Sequence, residues 1–398
     1  MVNGSPRQRS VSRTRSAALT AALLLSAACA ADRPSADSGD DAEARRLTSV
    51  VDLSIGTLDG EDAYVFGRVG GLALDEAGRI IVVDQLAHEV RVFDPEGRFL
   101  FRFGREGAGP GELRTPCCAA FGPDGLLWIR EAGNARYSAF ALGEAGAEFR
   151  TSVRIEHGGA AMAAPLTFDP DGRLIDVGTA PDPKTGLPRT VRYHRDGATS
   201  DVAFELAVPE PTPDSIGMFT IRREAPNQRT VLFVYQPFGP RHLVAHAPHG
   251  EWARTVTSRY AVTWYAPDGK PLRTIERALA GPPLTDAERA RADSTLDDMV
   301  RRLSVSRRDL PFGVPTEKPP IRELFFDRVG RLWVVRYVPQ GAPNEADVYE
   351  ASGKRAAIVT WPAGIVLTNG WAVYRDVALG VQRDELDVER VVRLRLEE

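Results

Sequence analysis

LALDEAGRIIVVD, residues 72 to 84, reads as a strand, a tight acidic turn and a second strand. Gly78 supplies the positive φ that such a turn needs, and the apolar runs on either side have strand length. The same shape returns at residues 119 to 129 around Asp124-Gly125 and at residues 166 to 177 around Asp171-Gly172. Fainter copies lie at residues 242 to 256 around His249-Gly250, 321 to 335 around Val329-Gly330, and 365 to 374 around Asn369-Gly370. The first two intervals between turn glycines are both 47 residues, a spacing within the ~40–50 residues of a four-stranded propeller blade.

A second hairpin follows each of the first five. Its turns are Asp94-Pro95-Glu96-Gly97, Gly143 to Gly146, Asp196-Gly197, Pro267-Asp268-Gly269 and Ser352-Gly353. Two hairpins make a four-stranded antiparallel blade, and six blades predict an all-β, six-bladed β-propeller. The sixth copy ends one strand short, because residues 390 to 396 are followed by the terminus. The spare strand lies at the other end, Ser49 to Ile55, so an N-terminal strand is expected to close the last blade. Closure removes the exposed sheet edges that an open array would leave. Between Pro282-Pro283 and Pro319-Pro320 the pattern breaks. Thr285 with Glu288 forms a capping box, and Leu296, Met299, Val300 and Leu303 recur at helical spacing, which predicts one helical insertion at about 282–320.

The repeat resembles the NHL repeat and the wider six-bladed propeller family. Residues 84 to 94 (DQLAHEVRVFD) are similar to the family's D-x-x-N-x-R-V-x-x-F-D segment, with Ala87 and Glu89 where Asn and Arg are usual. Asn134-Ala135-Arg136 carries those two types in the next blade, and residues 103 to 116 resemble the family's glycine-rich connection between blades. The likeness is strongest over residues 68 to 130 and fades after about residue 175.

Ahead of the repeats, Arg7, Arg9, Arg13 and Arg15 precede a short apolar run at residues 17 to 28, too brief to span a bilayer, which reads as a secretory signal over residues 1–28. Leu25-Ser26-Ala27-Ala28-Cys29 resembles the lipobox of bacterial lipoproteins, which implies cleavage before Cys29 and lipidation of its thiol. Residues 29–46 are charged and poor in large apolar side chains, so they read as a flexible tether, with 47–398 as the propeller. Loss of the signal removes four arginines and no acid, taking the formal charge from −4 to −8. That balance argues against nucleic acid as a partner. The expected setting is the bacterial cell envelope, lipid-anchored and facing periplasm or cell surface, as a monomer.

The glycines of FGREGAGPGELRTPCC, residues 103 to 118, invite a phosphate cradle. A P-loop needs Gly-Lys-Ser/Thr opening a helix, whereas Gly111 is followed by Glu112 and Pro110 lacks an amide proton, so the loop reads as architecture. Cys117 and Cys118 sit at the start of an innermost strand. Two buried reduced thiols and a vicinal disulfide both fit them, and a soft-metal site fits less well because two adjacent ligands rarely suffice. His242 and His246 share a strand, ~13 Å apart, too far for one metal. Trp128, Trp252, Trp333 and Trp371 fall at matching blade positions and read as packing between blades.

The polar residues that the repeat places at the channel mouth are Asp84, His88, Glu106, Arg114, Cys117, Cys118, Arg130, Glu131 and Asn134. They are scattered, and no catalytic set, metal site or cofactor is implied. The expected role is a non-catalytic scaffold holding a protein or small ligand at that mouth. The alternative is a propeller enzyme, such as a calcium-dependent lactonase or a quinone-dependent dehydrogenase, which would need carboxylates converging on the channel.

Overall fold

The computed structural model describes residues 44–155, 166–181, 183, 188–197, 199, 201–209, 211, 216–225, 228–367 and 372–398. The leader, Cys29 and the tether up to residue 43 lie outside them, as do Asn369, Gly370 and Trp371.

After an N-terminal strand β1 (Arg45–Ile55), the chain forms a first blade from β2 (Val69–Leu74), β3 (Ile80–Asp84), β4 (Glu89–Phe93) and β5 (Phe99–Phe103). The second blade is β6 (Pro116–Phe121), β7 (Leu127–Glu131), β8 (Arg136–Leu142) and β9 (Ala147–Arg154). The third is β10 (Thr167–Phe168), β11 (Leu174–Pro181), β12 (Pro188–Arg195) and β13 (Val202–Ala207). A separate hairpin, β14 (Met218–Ala225) and β15 (Gln228–Tyr235), precedes the fourth blade. That blade is β16 (His242–His246), β17 (Trp252–Val256), β18 (Tyr260–Tyr265) and β19 (Pro271–Arg277). Helix α1 (Asp286–Leu303) follows, then the fifth blade of β20 (Ile321–Phe326), β21 (Leu332–Arg336), β22 (Asn344–Tyr349) and β23 (Arg355–Trp361). The last blade combines β24 (Ile365–Leu367), β25 (Val373–Tyr374), β26 (Val377–Arg383) and β27 (Glu389–Glu397) with β1. The fold is an all-β, six-bladed propeller with one helical insertion.

The turns of the repeat have a specific chemistry. In Asp75, Asp169 and Asp327 one carboxylate oxygen accepts the amide of the arginine four residues on, at 2.8 to 2.9 Å. The other oxygen meets that arginine's guanidinium. The glycine between them, Gly78, Gly172 or Gly330, has φ near +80°. A side chain there would have to enter the left-handed region, at roughly 1–2 kcal/mol.

The closing strand behaves as expected and reaches further. β1 pairs antiparallel with β27, with Val51 opposite Leu394 and Ile55 opposite Val391. It begins at Arg45, four residues before the expected Ser49, and residues 45 to 48 pair in parallel with Ala357 to Thr360 of the fifth blade. The first strand therefore joins two blades. The sixth hairpin differs from the sequence reading. Both β24 and β25 pair antiparallel with β26, so these two segments lie on the same side of it, and the turn falls at Arg375-Asp376. Arg375 takes the positive φ, at 58°. The Asn-Gly pair at 369–370 had suggested the turn because that dipeptide favours left-handed backbone.

Among the described residues, apolar clusters fill five of the six seams between blades. Ile81, Val83, Leu127 and Ile129 belong to the first of these, Trp128, Phe168 and Leu174 to the second. Trp264 with Phe326, Trp333 with Val359, and Leu72 with Leu379 mark the other three. Trp128, Trp252 and Trp333 are all buried, as packing residues would be. The seam between the third and fourth blades is different. There Arg192, His194 and His246 are buried, Thr167 donates to the Ala247 carbonyl at 3.0 Å, and Arg192 donates to the Gly250 carbonyl at 3.1 Å.

The β14–β15 hairpin was not expected from the sequence, and it partners the insertion. Phe219, Ile221 and Val234 pack with Leu296, Met299, Val300 and Leu303 of α1 and with Leu310. The Thr285–Glu288 capping box forms as predicted, and Ser304 ends the helix with φ 50°.

Candidate functional site

Strands alternate in direction within a blade, so connections between blades and loops between second and third strands share one face of the ring. The glycine-rich connection, Cys117 and Cys118, the β14–β15 hairpin and the α1 insertion all belong to that face.

The glycine loop holds an anion of its own. Glu112 turns into it: the Gly109 amide donates to Glu112 Oε2 at 2.8 Å, and Arg105 donates to Oε1 at 2.8 and 3.1 Å. The amide and guanidinium bonds hold the Glu112 carboxyl below its ordinary pKa. A Cβ on Gly107 would lie 2.1 Å from Glu112 Oε2, so a side chain there would push the Glu112 carboxylate out of the loop. The loop is architecture, as its sequence indicated.

Most of the nine expected contacts serve that architecture. Glu131, fully buried, accepts from Asn134 at 2.6 Å, from Arg136 Nε at 2.8 Å and from Ser138. Asn134 and Arg136 then donate to the carbonyls of Gly107, Ala108, Gly109 and Glu112 at 2.8 to 3.1 Å. Asp84 does the same in the first blade, accepting the amides of Gly67 at 2.8 Å and Arg68 at 3.1 Å. His88 Nδ1 accepts the Thr115 amide at 3.1 Å, and Arg114 contributes backbone bonds while its side chain is exposed. Glu106 is exposed. The structure thus brings only Cys117, Cys118 and Arg130 together around unsatisfied polar groups. Among the described residues no three His, Cys, Asp or Glu side chains converge as metal ligands.

The same face carries a cleft that the sequence reading missed. It is about 710 Å³ and is lined by Phe238, Arg259, Tyr260, Arg277, Lys318, the exposed Glu317 and apolar residues at 278 to 281 and 319 to 320. Its walls are cross-braced. Tyr260 donates to Asp347 at 2.7 Å, Arg277 pairs with Asp347 at 2.9 Å, and Lys318 pairs with the buried Glu288 at 2.5 Å. Lys318 Nζ also lies 5.8 Å from the Phe238 ring centre. Arg259 is exposed at the rim. The lining comes from residues spread between 238 and 320, which is why no local motif marks it. Another cavity, about 650 Å³, lies between the second and third blades on the opposite face, walled by the repeat's own turns at residues 123–124 and 170–172.

The family model DUF5128, described as a 6-bladed β-propeller, matches residues 36–116. No curated protein matches the chain. Among solved structures, the chain is similar to an exported protein of Bacteroides fragilis at 10% identity and TM-score 0.47, over 88% of this chain and 96% of that one. It is also similar to a member of the DUF4221 family from Bacteroides vulgatus, at 10% identity and TM-score 0.42, over 89% and 99%. A gluconolactonase of Xanthomonas campestris aligns at 13% identity and TM-score 0.38, over 82% and 85%. At this distance no residue role passes from them to this chain.

Proposed function

We propose that the protein is an NHL-like propeller exported to the cell envelope, anchored through a lipid on Cys29, and that it binds a small organic anion without transforming it. The leader and lipobox-like residues support the location. The observation that carries the binding role is the cleft at Arg259. Its size suits a small ligand, aromatic and aliphatic walls present an apolar body, and Arg259 offers an exposed cation at the rim. Walls cross-braced by Asp347 and Glu288 need no ordering on binding, which favours affinity. Of the carboxylates by the glycine loop, Asp84, Glu112 and Glu131 are engaged in holding loops and Glu106 stands exposed, which supports the same reading.

The test is thermal unfolding of the protein with a panel of aromatic and aliphatic carboxylates. A member of that panel should raise the melting temperature in proportion to log concentration, and Arg259→Glu should abolish the rise while leaving the unliganded melting temperature within about 2 °C. Calcium-dependent hydrolysis of lactones, or a response unchanged by Arg259→Glu, defeats the proposal.

A further inference from the structure

In a regular strand, successive side chains point to opposite faces. Cys117 and Cys118 do not. The pairing of β6 with β7 shifts register between Cys117 and Ala119, and Cys118 is the extra residue of this bulge, with φ 54°. The equivalent shift in the first blade leaves Gly70 as the extra residue, and its backbone does not take a positive φ. At Cys118 the conformation is strained, because the side chain of an L-residue is crowded in the left-handed region. Its effect is to bring both sulfurs to one side, 2.8 Å apart, with the Cys118 thiol donating to Cys117.

Arg130 lies against the pair. Its side chain is buried, 1% exposed, and its Nη1 approaches Cys117 Sγ at 3.9 Å, while Nε and Nη2 have no hydrogen-bond partner. No carboxylate forms an ion pair with it among the described residues. A buried guanidinium with free donors demands an anion. Tyr137 also lies against Arg130, but burial and the Asp176 carboxylate push its phenol well up, so the neighbour that can become an anion near neutral pH is the Cys117 thiol. The hydrogen bond from Cys118 acts first and outweighs burial; with Arg130 it brings Cys117 down to about 7. The same contact and burial push Cys118 up. One thiol is thus disposed to attack and its neighbour to wait as a protonated donor.

We propose that Cys117 and Cys118 form a redox-active dithiol, with Arg130 stabilising the attacking sulfur, that a small hydroperoxide converts into a vicinal disulfide. The Cys117 thiolate attacks the distal oxygen of hydrogen peroxide, an S–O bond forms as the O–O bond breaks, and hydroxide leaves with the electron pair. Cys118 then attacks the Cys117 sulfenic acid. The S–S bond forms, the S–O bond breaks, and the Cys118 proton leaves with the hydroxyl as water. Peroxide is the oxidant, reduced by two electrons. A small oxidant is required because Cys117 is only 6% exposed. An added dithiol reverses the reaction by thiol–disulfide exchange.

The test follows the peptide Thr115–Arg130 by mass spectrometry after treating the reduced full-length chain with one equivalent of hydrogen peroxide and then an alkylating agent. The peptide should lose two hydrogens and take up no alkyl group, and dithiothreitol should restore double alkylation. In Cys118→Ser the reaction should stop at a sulfenic acid that dimedone traps on Cys117, whereas Cys117→Ser should react at least roughly tenfold more slowly, since the remaining thiol stays protonated. Arg130→Met should slow oxidation at pH 7 roughly threefold or more and displace the midpoint of the rate–pH profile upward, and Arg130→Lys should restore both. Double alkylation after peroxide, a sulfinic acid in place of the disulfide, or equal reactivity of the two single-cysteine variants overturns the assignment. Because both cysteine variants stay informative if Arg130→Met does not fold, the outcome does not depend on that substitution.

Discussion

Arg393 grips Asp52 with two parallel bonds, Nε to Oδ1 at 2.8 Å and Nη2 to Oδ2 at 3.2 Å, across the pairing of the chain's first strand with its last. Arg395 joins the same carboxylate at 3.0 Å. Burial alone would raise the Asp52 pKa, and the two arginines outweigh it and hold the carboxyl low. Removing residues 45 to 55 should unfold the ring as a unit, because the sixth blade loses its outer strand and the fifth its parallel partner. Unchanged thermal unfolding of that deletion would mean the blades close without it.

Asp52→Asn isolates the electrostatic share. A carboxyl with a lowered folded pKa stabilises above its unfolded pKa, and the benefit is lost as pH falls through the folded value. Wild type and Asp52→Asn should therefore differ by about 1 kcal/mol at pH 7, a magnitude suited to a part-exposed bidentate pair. The difference should narrow toward pH 3. Urea denaturation at the two pH values reads it directly.

The polar seam between blades three and four should be the acid-sensitive one. His246 is buried beside Arg192 and His194, and its Nδ1 has no hydrogen-bond partner. Burial, then Arg192 and the His194 ring, push its pKa well down, and burial pushes Arg192 down to about 9. His194 is lowered by burial too, although Asp169, 2.8 Å from its Nδ1, acts the other way. A histidine with a depressed folded pKa stabilises fully above its unfolded value, near 6.5, and the contribution falls as pH drops below that. Stability should decline between pH 7 and 5, and His246→Leu should flatten the slope. An unchanged slope in that variant would place the acid sensitivity elsewhere.

Glycines separate space from strain. A Cβ on Gly71 would meet the Cys118 backbone nitrogen at 2.7 Å and its Cα at 3.1 Å, atoms that cannot step aside without moving the bulge. Gly71→Ala should cost about 1–3 kcal/mol and also alter the reactivity of the thiol pair. Gly146 has nothing within 4 Å, so Gly146→Ala should fall within about 0.5 kcal/mol of wild type. Equal melting temperatures for the two variants would contradict the close approach of blades one and two.

The insertion should be separable from the ring. Glu288 is buried, and the Lys318 ammonium and the Thr285 amide overcome the effect of burial to keep its carboxyl low. Lys318→Met leaves that carboxylate unpaired and should loosen α1 by about 3 kcal/mol or more, seen as faster amide exchange in residues 286–303 with the blades unaffected. Adding Glu288→Gln removes the stranded charge and retains a capping side chain, so protection should partly return. Faster exchange throughout the blades would mean the insertion braces the whole ring.

Blade number, turn positions and the capped helix were legible in the chain, because each depends on residues close together, and the closing strand was legible because the strand count left the last blade one short and one strand spare at the N-terminal end. Gly78 and Asp75 define a hairpin with the arginine at 79, and Thr285 caps a helix through Glu288 three residues on. The exception shows the same rule: Asn369-Gly370 carries a turn signal, and pairing with Val377–Arg383 decided the sixth blade's inner strand instead. The site was legible as a list and not as an arrangement. Nothing local distinguishes Glu131, spent on Asn134 and Arg136, from a carboxylate free to bind a ligand. Nor does the sequence say that Cys117 and Cys118 share a side, since strand alternation predicts the opposite and only the register shift against β7 reverses it. Arg130 finds its thiol across that shifted pair, Lys318 finds Glu288 through the fold of the insertion, and His246 meets Arg192 from the next blade. These meetings depend on how the blades close upon one another, so tertiary structure alone could decide them.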